Sequence, residues 1–403
     1  MSPASSNDSP PSSAVVLAAG EGTRLRPLTA NRPKPMLPAG TRPILEHVLN
    51  ALVDAGVDDI HLVVGYQANR VRSHVGVSYR EVPVTYHTQQ NQLGTGHALL
   101  QARDGPTGPF LLVNGDQIID HRIVEAVCDA HSTTATLAVV EGPEAQNYGA
   151  VRLSGDKITE LTEQPATGDF RLFNAGVYAF EPEIFETLET LSDSRGELPL
   201  TDAIGQLVAD EGGVEAVRTD HFWMDATHPW NLLSLSKELL ARGWVDLPEE
   251  TPGCYVHASA NVHPDATLVG PVAIDADVSV EAGAVVGPYA ALGEATTVGA
   301  GSVLSDVVID TGSAIGPNTT GIDLVVGSGC TIGAGLTAAG GLADVLLDEQ
   351  LYTDIALGGV IADRAVTEGA VTLQPGALVG PKATVGSGVV VQDAVEGGSE
   401  VVR

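Results

Sequence analysis

The chain has 403 residues, more than one ordinary hydrophobic core accommodates, so two domains are expected. Its formal net charge is −31, with 20 basic against 51 acidic side chains, which argues against nucleic acid or an anionic membrane as partner. No apolar run reaches spanning length, and three cysteines without CxxC spacing suit a reducing cytosol, so a soluble cytoplasmic protein is expected. The acidity is not local: residues 1–250 carry 17 basic and 34 acidic side chains, residues 251–403 carry 3 and 17. A whole surface this acidic fits a protein working at high salt, where self-repulsion is screened.

In chain order, residues 1–13 (MSPASSNDSPPSS) read as a disordered tail. Ala14–Ala19 is a short apolar run expected to be a buried strand. It breaks into Gly20 and Gly22, then Thr23, Arg24 and Arg26. Glycines let backbone N–H groups approach phosphate oxygens, and an arginine grips two of them at once. Lys34 follows between Pro33 and Pro35, a compact charge on a stiffened backbone. A third glycine is missing at Leu25 for a dinucleotide fingerprint, and no P-loop occurs. Pro43–Ala55 has helical periodicity and ends at Gly56; 61–65 and Val82–Tyr86 are further strands. Strands alternating with helices indicate a parallel sheet with ligands at its carboxyl edge. Gln89 to Ala98 offers amides before a glycine turn and a helix, suited to reading a base edge. His97 is expected to be a helix residue. Phe110–Val113 ends in Asn114-Gly115-Asp116, where a carboxylate after a glycine suits a hard cation; Asp225 is a second such carboxylate. Glu163 and Asn174, at expected strand ends, pair donors and acceptors as hexose hydroxyls require. Thr201 is expected to cap a helix.

Leu17–Thr29 and Lys34–Met36 together resemble the signature of the sugar-1-phosphate nucleotidylyltransferases, LAAGxGTRLxPLT followed by PKPM. The resemblance implies an α/β Rossmann-like domain that joins a nucleoside triphosphate to a sugar 1-phosphate, releases pyrophosphate and uses Mg²⁺. It implies Arg24 and Lys34 as catalytic cations and Leu17, Ala18, Gly20, Gly22, Thr23, Gln89, Gly94 and Thr95 as nucleotide contacts. Gly149, Glu163 and Asn174 are implied as sugar contacts, Asp116 and Asp225 as metal ligands. Residues 92–98, QLGTGHA, resemble the N-acetylglucosamine-1-phosphate uridylyltransferases. Gln164 stands where glucose-type relatives have lysine, which leans toward the acetylhexosamine branch. UTP is favoured over dTTP, with N-acetylglucosamine-1-phosphate or glucose-1-phosphate as the sugar.

Residues 14–242 are expected to form that domain and 243–254 a linker, with 255–403 a second domain. Val256, Val262, Leu268, Ile274, Val280, Val286, Leu292, Val298 and Leu304 recur every six residues, with glycines punctuating the turns. This resembles the left-handed parallel β-helix of the bacterial hexapeptide transferases, which implies a homo-oligomer, commonly a trimer. The period slips near 306–310, and 337–357 is expected to leave the helix as a loop. In bifunctional relatives this half acetylates glucosamine-1-phosphate using a histidine. Here Asp363 holds the corresponding place, the repeat's only histidines are His257 and His263, and its only lysine is Lys382. A structural role is therefore favoured over acetyl transfer. A catalytically silent subunit, the remaining alternative, would not be expected to keep Gly22, Arg24, Lys34, Asp116 and Asp225.

Overall fold

The computed structural model describes residues 10–142, 145–165, 169–192, 196–210 and 213–402. They divide into two compact units, Met1–Glu21 with Ile44–Met224, and Gly22–Pro43 with Asp225–Arg403. The division by packing thus differs from the division by sequence pattern: the loop 22–43 and the helix after Asp225 group with the repeat half. Of the expected tail, residues 1–9 lie outside the described residues. The rest of it belongs to the fold, with Pro11 buried and the Ser12 carbonyl accepting from Asp58 N at 2.9 Å.

The first unit is a sheet flanked by helices. In order its main elements are β1 (Ser13–Ala18), α1 (Ile44–Asp54), β2 (Asp59–Val64), α2 (Ala68–Val75), β3 (Val82–Thr88), α3 (Thr95–Leu100) and β4 (Phe110–Asn114). There follow α4 (His121–Ala130), β5 (Ala135–Glu141), β6 (Gly149–Ser154), β7 (Lys157–Glu163), β8 (Leu172–Phe180), α5 (Ile184–Ser192), α6 (Leu200–Ala209) and β9 (Val214–Thr219). The sheet order is β6-β7-β9-β5-β8-β4-β1-β2-β3, extended past β3 by the two residues Ser78–Tyr79. β1 is fully sandwiched, parallel to β2 on one side and β4 on the other, which explains its unbroken apolar run. The sheet is mixed rather than wholly parallel, because β8 runs antiparallel to both β4 and β5. The β6–β7 hairpin adds a further antiparallel pair, turning at Gly155 with φ +65°.

In the second unit the hexad becomes a coil of parallel strands, as a left-handed β-helix requires. Ile274 pairs with Leu292, Val280 with Val298 and Val286 with Leu304, so one coil takes 18 residues and presents three faces. The side chains at these positions fill one continuous core. At one hexad turn a side chain has no room: a Cβ on Gly299 would lie 2.5 Å from Pro317 N. The slip near 306 is a shortened coil, since Leu292 pairs with Ile309 and Ile309 with Val326, 17 residues on each time. Asp306 and Asp323 take φ of 50° and 51° at the tightened corner. The expected excursion loop is in part regular: Thr337–Ala339 stays in the coil, and Leu342–Leu347 pairs with Gln350–Ala356 as a protruding hairpin. The expected linker is ordered as well. Gly243, at φ 68°, ends α7 (Asn231–Arg242), and Glu249–Thr251 pairs antiparallel to Cys254–Val256.

Candidate active site

In the first unit the three expected sugar contacts come together. Gly149 faces Glu163 across the hairpin, and a Cβ on Gly149 would lie 3.5 Å from Glu163 Oε1 and 3.6 Å from Asn174 Cβ. Asn174 Nδ2 donates to the buried Tyr178 hydroxyl at 2.5 Å, and its Oδ1 accepts from Gly176 N at 2.9 Å. The amide is therefore held by both ends. Next to Asn174 in sequence, Phe173 stacks on Tyr148 with ring centroids 4.8 Å apart, and Trp223 meets both rings edge-on at 5.1 and 5.2 Å. Trp223 Nε1 donates to Ala175 O at 2.7 Å and to Gln117 Oε1 at 3.1 Å. An aromatic wall next to an oriented amide and a carboxylate suits a sugar ring, which needs both an apolar face and hydrogen bonds. Partial withdrawal from solvent and the neighbouring Asp202 raise the Glu163 pKa, against a hydrogen bond from Thr201. Thr201 is thus not a cap: Pro199 holds the N-cap position, and Thr201 sits in the first turn of α6 with its hydroxyl on Glu163.

The expected base segment is tied to its own surroundings. Gln89 is buried and donates from Nε2 to Gly94 O at 3.1 Å, with His97 Nδ1 2.9 Å away. Thr95 Oγ1 accepts from Leu200 N at 2.9 Å. Gly94 has φ +96°, and a Cβ there would lie 2.5 Å from Leu198 O, so glycine is obligatory. His97 lies in α3, as expected. Ala18 is buried in β1, and Leu17 O accepts from Gly115 N at 2.9 Å, which sets Asp116 at the carboxyl ends of β1 and β4.

In the second unit the glycine–arginine loop is built from short 3₁₀ turns, Thr23–Leu25, Leu28–Ala30 and Lys34–Met36, pinned by buried Leu25, Leu28 and Leu37. Gly22 is left-handed, at φ 66°, and a Cβ there would lie 2.7 Å from Lys34 Cβ. Thr29 Oγ1 donates to Gly22 O at 2.7 Å. The two sequence blocks are therefore packed together. Gly20, by contrast, is exposed and has open space around it, as a backbone meant to meet a ligand would.

Sequence reading passed over His228. Its ring stacks on Trp230 at 4.6 Å and meets the edge of Tyr352, from the protruding hairpin, at 4.5 Å. Burial, then the charges of Arg24 and Lys34, lower its pKa, while Asp225 opposes them. Three of the expected functional charges thus act on one imidazole, three residues after Asp225. Thr227 Oγ1 donates to Asp225 Oδ2 at 3.1 Å, orienting that carboxylate.

Among the described residues no group of three or more His, Cys, Asp and Glu side chains forms a metal cluster. Asp116 and Asp225 are hard oxygen donors of the kind Mg²⁺ takes one or two at a time, leaving phosphates and water to complete its shell. The donor chemistry fits that ion and not a closed zinc site.

Arg32 was passed over too. It is buried and ion-paired with Asp310 and, at 2.9 Å, with Asp363. Burial alone would favour losing the proton, but the two carboxylates outweigh it and raise the Arg32 pKa. Asp363, 3% exposed, faces this guanidinium and is no open base, while His257 and His263 lie at the start of the coil. The three cysteines are free thiols.

Residues 13–242 match the family model described as nucleotidyl transferase. The chain belongs to the nucleotidyl transferase family. Within it, the bifunctional protein GlmU of Methanococcus vannielii is 32% identical over 426 residues, 97% of each chain. The protein of that name from Methanococcus maripaludis is 38% identical over 232 residues, 56% of this chain and 54% of its own length, so that match spans about half of the relative. UTP–glucose-1-phosphate uridylyltransferase AglF of Haloferax volcanii is 38% identical over 223 residues, 54% of this chain and 91% of that protein. A crystal structure described as a glucose-1-phosphate thymidylyltransferase from Bacillus anthracis shares the fold, with a TM-score of 0.53 at 24% identity over 59% of this chain and 97% of that one. No helix among the described residues of this nucleotidyl transferase is long and apolar enough to cross a membrane.

Proposed function

We propose that this nucleotidyl transferase is a sugar-1-phosphate nucleotidylyltransferase, which makes a nucleoside diphosphate sugar and pyrophosphate from a nucleoside triphosphate and a hexose 1-phosphate. UTP is the favoured nucleotide, with dTTP possible, and N-acetylglucosamine-1-phosphate or glucose-1-phosphate is the sugar. The observation that carries the reading is the packing of Lys34 on the left-handed Gly22, which joins the two signature blocks, with Arg24, Lys34 and Asp225 all acting on His228. The convergence of Gly149, Glu163 and Asn174 supports the sugar half.

The attacking oxygen belongs to a phosphate already ionised at neutral pH, so no general base is required. A bond forms from that oxygen to the α-phosphorus, and the bond to the β-phosphate bridging oxygen breaks, releasing pyrophosphate. Arg24 and Lys34 neutralise charge on the triphosphate as it shifts to the leaving group. Glycines 20 and 22 with Thr23 bring backbone N–H groups near the phosphates; Leu17, Ala18, Gln89, Gly94 and Thr95 border the nucleoside. Glu163 and Asn174 orient the hexose. Mg²⁺ held by Asp116 and Asp225 would supply further neutralisation of phosphate charge. The protein acts in the cytoplasm at high salt and associates through its β-helix, as a trimer.

The test is pyrophosphate release, in molar salt and in dilute buffer, over four nucleoside triphosphates and several hexose 1-phosphates. Release with UTP and one of the two named sugars, stronger in molar salt, is expected. No release with any pair at either salt would end the reading.

A further inference from the structure

Among the buried charged groups that the mechanism above leaves unused is Arg32. Arg32 lies two residues before Lys34, its side chain 5% exposed, between Asp310 at 13% and Asp363 at 4%. Such a triad is a poor source of stability, because desolvating three charges offsets most of their attraction. Its product is geometry. Both carboxylates are held by backbone N–H groups: Asp310 Oδ1 accepts from Thr311 N of its own turn at 2.8 Å, and Asp363 Oδ1 from Ser328 N of the preceding coil at 3.2 Å. They stand two coils apart at one corner of the β-helix, and the intervening coil has Gly327 there, whose Cβ would lie 2.6 Å from Asp363 Oδ1. A slot is thereby left across three coils, and the guanidinium bridges it.

From Arg32 to Lys34 the chain is stiff. Pro33 has φ fixed at −74°, Pro35 follows Lys34, and Met36 N closes the turn onto Pro33 O at 3.0 Å. Where Arg32 sits therefore sets where Lys34 sits, and Lys34 in turn packs on Gly22 beside Arg24. We propose that Asp310 and Asp363 are positioning residues for nucleotidyl transfer: through Arg32, the β-helix holds the loop that presents Arg24 and Lys34. The inference rests on the function proposed above and gives the β-helix a part in that same reaction. Asp363, in the place where bifunctional relatives have a histidine, serves as an anchor. Misplacing a catalytic group by about 1 Å costs on the order of 10²-fold in rate.

The test uses the full chain, comparing wild type, Asp363→Asn and, as a control that removes an exposed β-helix carboxylate elsewhere, Glu368→Gln. In Asp363→Asn, kcat for pyrophosphate release should fall on the order of 10- to 100-fold, with KM for the sugar phosphate within about twofold. Amide hydrogen exchange in residues 22–37 should quicken while the coil amides keep wild-type protection. Glu368→Gln should match wild type in all three. If wild type itself releases no pyrophosphate, the proposed function fails, and the exchange result alone then decides whether the anchor exists. If wild type is active and Asp363→Asn keeps both its kcat and its exchange at 22–37, the positioning role is overturned. Should Asp363→Asn lose the protection of its coil, Asp310→Asn, at the more open carboxylate, takes its place with the same two criteria.

Discussion

The two regions that carry the proposed chemistry hold their functional groups in opposite ways. Around the proposed sugar pocket of the sheet, the oriented groups act by hydrogen bonding: an amide fastened at both ends, a buried tyrosine hydroxyl, and a carboxylate whose pKa burial raises. Around the glycine–arginine loop of the other unit, the groups are full charges, and a buried arginine with two counter-charges stands behind them. The difference follows the ligands. A hexose is neutral and is read by hydrogen-bond direction, which a twisted sheet with stacked rings can supply. A triphosphate is a dense anion, and the groups that meet it repel one another until it arrives, so they need a rigid base.

The largest expected effect breaks the charged side of this contrast. Lys34→Ala should lower kcat for pyrophosphate release on the order of 10²–10³-fold, by analogy with loss of a preorganised charge donor. Near-normal turnover would remove Lys34 from the mechanism. On the sugar side the loss should be smaller and should fall on the sugar alone. Glu163→Ala should reduce kcat/KM for the hexose 1-phosphate roughly 10- to 100-fold, the worth of one hydrogen bond to a charged group, and leave KM for the nucleotide near wild type. An equal change in both KM values would place Glu163 outside the sugar pocket.

The smallest effect is a pH dependence shared by both regions. Burial lowers the pKa of His87 and His131 in the sheet unit and of His228 in the other. The native state binds protons at all three only at lower pH than the unfolded chain, which binds them near the ordinary pKa of about 6.5. Stability is therefore complete above that pH and declines modestly as pH falls below it. Denaturant midpoints between pH 8 and pH 5.5 measure the decline. Substituting His228 by Gln should remove only its own share, and a midpoint flat across this range would contradict the assignment of all three.

Much of this was legible in the chain because it was written locally. The spacing of Gly22, Arg24 and Lys34 announces a tight glycine loop joining the two blocks, and the aliphatic hexad announces a coil whose register can be followed by counting. What stayed hidden depends on partners far along the sequence. Arg32 looked like one more charge in a basic loop, since its counter-charge Asp310 is 278 residues away. Thr201 reads as a cap from its neighbours alone, and only the return of β7 beside α6 shows its hydroxyl occupied by Glu163. His228 could have been suspected from its position three residues after Asp225, but its lowered pKa comes first from burial, with Trp230 and Tyr352 packed around it. The excursion at 337–357 gave no periodic signal because a hairpin of mixed exposure alternates too weakly to stand out against a loop.

The distance between Arg32 and its counter-charges also bears on how the protein is made. On the ribosome, the guanidinium emerges hundreds of residues ahead of the carboxylates that enclose it, and until the late coils have wound it must remain hydrated. The nascent chain can complete its sheet early. The glycine–arginine loop reaches its final shape only once Asp310 and Asp363 have been added, so a product truncated before them would leave Arg32 without its two anchors.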